Sequence, residues 1–344
     1  MDSVTHVALG AALGEAILGK KLGTRAMFWG AIAGSLPDID VLFGPFEDDI
    51  GFLTHHRGIT HSILFVLVLS PILGWLLARW LRRRSPEITP LGCTGLFFAG
   101  LMSHILLDAC TTYGTQLFLP LSDYQVALNN IFIADPLFTL PLLISGIACL
   151  VLRQASGKRR AINYGGIALS CLYLAVTFVN QFEARQVFAA SLREQHIDTQ
   201  RLMIGPTPFN SILWCCIAEQ RDGFRIGYYS LLDTQKQVRF SHVPRNAALI
   251  ENFKGRKAVE QLVWFSNGYY TVHQQQGRLV FDILKLGILS LDADDSQVVF
   301  SFVIQPEEHG GLHVWNASQR RGVNVSRLMA ALWGRIRGGE PRTF

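Results

Sequence analysis

Thr54-His55-His56-Arg57-Gly58-Ile59-Thr60-His61-Ser62 places three histidines and an arginine within nine residues. A neutral imidazole ligates divalent metals and an imidazole near its ordinary pKa moves protons, so His56 and His61 read as metal ligands or as an acid/base pair. Arg57 is placed to grip phosphate or carboxylate with two parallel hydrogen bonds. Gly58 lets the backbone turn closely past a ligand, and Thr60 or His61 stands where a helix should start, with Thr60 as a possible cap. Three further polar groupings stand at the ends of apolar runs. Pro37-Asp38-Ile39-Asp40 offers a ligand or bridging carboxylate, with the second acid as ligand or general base. His104 and Asp108, four apart, share one helix face and can reach one ion. His6 opens the first apolar run. Imidazoles with carboxylates suit Zn, Mn, Fe or Ni, as one or two ions. Each residue taken singly has a bland reading, but ionisable groups inside apolar helices are costly and usually functional.

These groups need elements to hold them, and the apolar runs supply those elements. The sequence has 344 residues, 49% hydrophobic and only 17% charged, and the first 180 or so hold nearly all the long apolar runs. Runs at 4–19, 26–36, 62–80, 92–109, 136–152 and 161–180 predict a polytopic α-helical membrane bundle of five to six helices. The first two are short, and 26–36 reads as re-entrant or deeply packed. Basic clusters at 20–25, 79–84 and 153–160 occupy alternate loops, so the positive-inside rule puts those loops in the cytoplasm. His6, Asp38, Asp40, His55, His56, His61, His104 and Asp108 then all fall near the opposite, outer surface, together with everything after residue 180. The N-terminus has no basic region of the kind that begins a cleavable signal peptide.

A helical linker over 182–204 leads to a water-exposed α+β or mostly β domain over 205–344, which completes a division at 1–181, 182–204 and 205–344. Its expected strands are 212–217, 224–230, 237–241, 261–265, 268–273, 278–284 and 297–304, with a closing helix near 324–336. His196, His242, His273, His309 and His313 are scattered there and read as surface or turn residues. Cysteines 93, 110, 149, 171, 215 and 216 form no CxxC pair, and vicinal Cys215 and Cys216 should point to opposite faces of a strand. The net charge of +5 comes from loop clusters without a basic stripe, which excludes nucleic-acid binding.

The His-Arg-Gly-x-Thr-His-Ser stretch at 56–62, with His6, Pro37-Asp38-Ile39-Asp40 and Ser103-His104-x3-Asp108 in the same order, resembles the YdjM-like inner-membrane metal-dependent hydrolases, also described as LexA-binding. The resemblance covers residues 1–180 or so. It implies a multi-pass protein of the bacterial inner membrane whose site falls on His6, Asp38, Asp40, His56, His61, His104 and Asp108. A cytoplasmic LexA partner would not meet an extracytoplasmic C-terminal domain. The resulting expectation is a divalent metal, zinc first, held by His6, Asp38, His56, His61, His104 and Asp108, with Asp40, Arg57 and His55 as catalytic residues. The reaction would be metal-dependent hydrolysis of a phospholipid or lipid-linked ester at the outer membrane–water boundary. Two alternatives come from other classes: a metal-ion sensor or transporter, and a non-catalytic anchor whose C-terminal domain binds an envelope partner.

Overall fold

The computed structural model describes residues 1–83, 85–154, 156–287, 298–306, 311–317 and 325–339. Arg84, His309 and the first residue of the expected strand 297–304 lie outside them. The chain falls into two compact units: residues 1–43, 55–178 and 208–210 form one, and residues 44–54, 179–207 and 211–344 the other.

In the first unit, Asp2 caps α1 (Ser3–Leu22) by accepting from the Thr5 backbone N–H and hydroxyl. Gly23, at φ 58°, is the single-residue joint to α2 (Thr24–Ser35). The two helices then lie back to back. A Cβ built on Gly30 would stand 2.2 Å from the Gly10 carbonyl oxygen, so the approach depends on bare backbone at both positions. The chain continues past α2 as a tight 3-10 stretch, Leu36–Phe46, and 24–46 together is long and apolar enough to cross a membrane. The short run 26–36 is thus extended through Pro37 instead of stopping at it.

Helix α3 (Asp49–His55) counts, up to Thr54, with the second unit; the first continues with α4 (Ile63–Leu81), α5 (Pro90–Ala109), α6 (Pro136–Val151) and α7 (Gly157–Glu194), whose residues from 179 on count with the second. Ser62, Thr89 and Asp135 cap α4, α5 and α6, and Pro90 and Pro136 occupy first-turn positions where no N–H is needed. The α4, α5 and α7 segments also meet the membrane-crossing criterion, while α6 is a shorter apolar helix. The unit buries small and aliphatic side chains such as Ala33, Val66, Leu101 and Ile105 and exposes Leu67, Trp75, Trp80, Ile144, Ile147 and Leu150. Large apolar side chains on the outside of closed backbone hydrogen-bonding are what a lipid solvent selects. The weakly apolar α1 exposes Val4, Val7 and Ile17 but buries a charged side chain on its other face. Its Glu15 is 4% exposed and accepts from Arg159 Nε and Nη2 at 2.7 and 2.6 Å.

The second unit carries two antiparallel meanders. One is β1 (Arg201–Pro206), β2 (Leu213–Glu219), β3 (Gly223–Ser230) and β4 (Phe240–Pro244); the other is β5 (Tyr270–Gln275), β6 (Arg278–Ile283), β7 (Ser301–Pro306) and β8 (Leu312–Asn316). Helices α8 (Lys257–Phe265) and α9 (Val325–Ile336) complete it. Ala184, Phe188 and Leu192 of α7 pack with Trp214, Cys216 and Ala218 of β2. Cys215 sits against a separate cluster around Ile217 and Phe224, so the vicinal cysteines do face opposite ways and both are free thiols.

The expected strand 261–265 is instead the end of α8. Val259, Leu262 and Phe265 recur every third residue and bury one helix face, a period that five residues are too few to display. The expected strand 237–241 shifts to β4, and β1 and β8 were not anticipated. The last span and the expected linker are one continuous helix as far as Glu194.

Candidate metal centre

The site lies within the first unit. His6 stands on the first turns of α1, Asp38 and Asp40 on the 3-10 stretch, and His104 and Asp108 on the last turns of α5. His56, Arg57, Thr60 and His61 lie in the compact connection between α3 and α4. Arg57 adopts φ 62°, a conformation few side-chain-bearing residues take, and the turn Gly58–His61 closes by a hydrogen bond from His61 N–H to Gly58 O. Ser62, not Thr60, caps α4, accepting from Phe65 N–H at 3.1 Å. That releases the Thr60 hydroxyl for the site.

Four ligand atoms, one each from Asp38, His61, His104 and Asp108, lie within 4.8 Å of one another. His61 Nε2 and His104 Nε2 are 3.1 Å apart. Asp38 Oδ1 is 3.5 and 3.4 Å from them, and Asp108 Oδ2 is 3.4 Å from both. His61, His104 and Asp108 are buried to within 1%.

Hydrogen bonds on the far sides of the rings decide what these nitrogens present. His104 Nδ1 lies 2.6 Å from the Gly34 carbonyl, which can only accept, so Nδ1 carries the proton and Nε2 a lone pair. The Thr60 hydroxyl donates to Asp40 Oδ2 at 3.2 Å, and its oxygen accepts from His61 Nδ1 at 3.0 Å. Asp40 Oδ2 itself is 3.4 Å from His61 Nδ1. His61 Nε2 therefore also points a lone pair inward. Two lone pairs and two carboxylate oxygens converge, and Asp108 Oδ2 is buried with no hydrogen-bond partner. A cation standing among the members of such a group relieves their mutual repulsion. Ligands about 2.0–2.2 Å from a tetrahedral zinc stand about 3.4 Å from one another, and the contacts above fall at 3.1–3.5 Å. The donor set and its spacing can hold a divalent metal ion.

Around this group the remaining expected residues are distributed unequally. His6 stacks on His104 with ring centroids 3.6 Å apart. Its Nε2 is 3.2 Å from Asp108 Oδ1, and its buried Nδ1 has no partner. Arg57 is 3% exposed. It pairs with Asp108 Oδ1 at 3.2 Å, donates to the Thr111 hydroxyl at 2.9 Å and lies over the Tyr113 ring. The Met1 amino group also contacts Asp108 Oδ1. Asp40 accepts from the Arg57 backbone N–H at 3.0 Å and meets His56 Nδ1 at 3.2 Å. His56 thus stands behind Asp40, outside the four-ligand group, and His55 is an exposed residue at the end of α3.

Gly34, Thr111 and Tyr113 carried no sequence signal. Gly34 contributes only a carbonyl. Thr111 follows Asp108 by three residues, a spacing that placed it on the same side. Burial pushes the Tyr113 phenol well above its ordinary pKa, so it stays protonated.

The sequence profile described as YdjM inner membrane protein matches residues 1–184, and every residue of the site lies inside that match. The chain belongs to this family. An Escherichia coli K12 relative described as inner membrane protein YbcI is 34% identical over 111 residues, covering 32% of this chain and 61% of that protein. A Bacillus subtilis 168 relative, described as uncharacterized protein YfhP, is 29% identical over 219 residues, covering 60% of this chain and 62% of that protein. The chain therefore spans less than two thirds of either relative. No solved structure matches it. This YdjM family member is thus a membrane protein with a buried His/Asp cluster at one end of its helical bundle.

Proposed function

We propose that this YdjM family member is a membrane-bound, metal-dependent hydrolase whose metal, zinc in the first instance, is held by Asp38, His61, His104 and Asp108. The observation that carries this reading is the convergence of two inward lone pairs and two carboxylates, each histidine's tautomer being set from behind. A divalent ion bound there supplies a water of lowered pKa and a Lewis acid for the scissile group.

The chain's own residues divide the remaining work. Asp40 spends both oxygens on His56, Thr60, His61 and the Arg57 backbone. It is a positioning residue that fixes the ring orientation and tautomer of His61, as carboxylates behind metal-bound histidines do. Arg57 holds Asp108 in place and offsets part of its charge. Among Asp38, Asp40, His56, His61, His104 and Asp108, the side chains most open to the outside are Asp38, at 23%, and His56, at 16%. Substrate therefore enters past these two, and His56 is the group that moves a proton there. His6 packs against His104 and Asp108 as a wall of the site. His55 is given no role.

The apolar helices leave the site's entrance at a membrane–water boundary, which favours a phospholipid or lipid-linked ester. By the positive-inside argument that boundary is the extracytoplasmic one, with the C-terminal domain on the same side. The test is metal analysis of the purified full chain beside His61→Ala and His104→Ala, followed by turnover of a lipid-ester panel with and without chelator. Stoichiometric metal lost in both variants, with chelator-sensitive hydrolysis, is the expected result. Unchanged metal content in the variants refutes the ligand set, and metal without turnover on any lipid ester refutes the hydrolase assignment.

A further inference from the structure

At the end of the bundle opposite the His/Asp cluster, the basic loops are drawn together. Gln154 donates to the Lys20 carbonyl at 2.9 Å, and Lys21 Nζ donates to the Glu87 carbonyl at 3.1 Å. Beside them is a pocket of about 220 Å³ lined by Glu15, Lys20, Arg160, Asn163 and Tyr164. The Glu15 carboxylate is neutralised by its two hydrogen bonds from Arg159. Lys20 and Arg160 are exposed, and neither has an ion-pair partner among the described residues. The pocket is therefore net positive.

Asn163 adds chemical detail. It is 1% exposed, and its Nδ2 donates to the Ala12 carbonyl at 2.9 Å. That bond fixes which amide atom is which, and it leaves Oδ1 buried without a partner. A buried acceptor left unpaired is destabilising, so a ligand that donates there is favoured over one that cannot.

We propose that this pocket binds a phosphate-bearing headgroup with an adjacent hydroxyl, of the glycerol phosphate class. The phosphate sits between Lys20 and Arg160, and the hydroxyl donates to Asn163 Oδ1. Bare phosphate fits the two cations but has no second group to reach the amide. A choline headgroup has no hydrogen-bond donor at all. The source is either a phosphatidylglycerol molecule of the surrounding bilayer or free glycerol phosphate. The site is separate from the His/Asp cluster and does not rest on the hydrolase reading.

Native mass spectrometry of the detergent-solubilised full chain tests it, with phosphatidylglycerol, phosphatidylcholine, glycerol phosphate and inorganic phosphate as probes. The wild type should retain phosphatidylglycerol or glycerol phosphate in preference to the other two. Retention of the lipid identifies a bilayer source, and retention of glycerol phosphate alone identifies a soluble one. Lys20→Gln/Arg160→Gln should weaken that binding about twenty-five-fold, from two charges each worth about a factor of five. Arg82→Gln/Arg83→Gln, which removes two charges outside the pocket lining, should leave it unchanged. Equal losses in the two double variants, binding of neither preferred probe, or equal binding of phosphatidylcholine would overturn the proposal.

Discussion

Asp40→Asn is the substitution that best separates a metal site from a structural polar cluster. The change keeps the side chain's shape. Its remaining carbonyl oxygen can take the Oδ2 place and still accept from Thr60 and the Arg57 N–H, while its amide turns toward His56. What is lost is the negative charge 3.4 Å behind His61 Nδ1. Removing such a partner behind a metal-bound histidine typically weakens metal affinity 10- to 100-fold, or about 1.4–2.8 kcal/mol. Asp108→Asn is a poorer experiment, because it leaves the 3%-exposed Arg57 without its carboxylate, at a cost of about 3–5 kcal/mol to the fold. The assay is competition for zinc against a chromophoric chelator with the full chain in detergent, alongside circular dichroism melts. Asp40→Asn should melt within a few degrees of the wild type and bind zinc 10- to 100-fold more weakly. A folded variant with affinity within twofold of the wild type would refute the claim that Asp40 acts through His61.

Two further outcomes test the frame around the site. Gly30→Ala puts a Cβ 2.2 Å from the Gly10 carbonyl oxygen and should destabilise the bundle by about 1–3 kcal/mol. Gly95→Ala, whose Cβ meets nothing within 4 Å, should melt like the wild type, and equal melting of the two variants refutes the close-approach argument. In the second unit, burial raises the Glu219 pKa, but hydrogen bonds from Arg201 and Arg245, both 2.5 Å, outweigh it and hold the carboxyl below its ordinary 4.5. A depressed carboxylate stabilises the fold above its unfolded pKa and loses that contribution as pH falls through the folded value. Glu219→Gln should therefore melt lower than the wild type at pH 7, and the gap should close below about pH 4. A gap that stays constant from pH 7 to 3 contradicts the pairing.

Much of this protein was legible in linear form because membrane solvent imposes a coarse rule. Helices of 19 or more apolar residues stand out at 63–81 and 90–109 whatever their neighbours do. His104 and Asp108 were paired correctly from an offset of four alone, since helix geometry puts them on one face. Where local pattern misled, a longer-range fact was responsible. The stretch 261–265 carries strand-type residues, yet Val259 supplies the helical period that buries it in α8. Thr60 was a plausible cap by position, but Ser62 takes that role and Thr60 orients His61.

The sequence by itself determined which residue types stand at the helix ends and that they gather toward one side. Helix spacing and the alternation of basic loops need no tertiary information. Only the folded chain decided how those residues divide among roles. His56 and His61 are five apart in one motif and indistinguishable by type. Yet His61 Nε2 joins His104, Asp38 and Asp108, while His56 meets Asp40 from the other side. The reason is that coordination depends on which way a lone pair points. That direction is set by Gly34 O behind His104 and by Thr60 and Asp40 behind His61, partners that become neighbours only when α2, α5 and the Gly58 turn pack together.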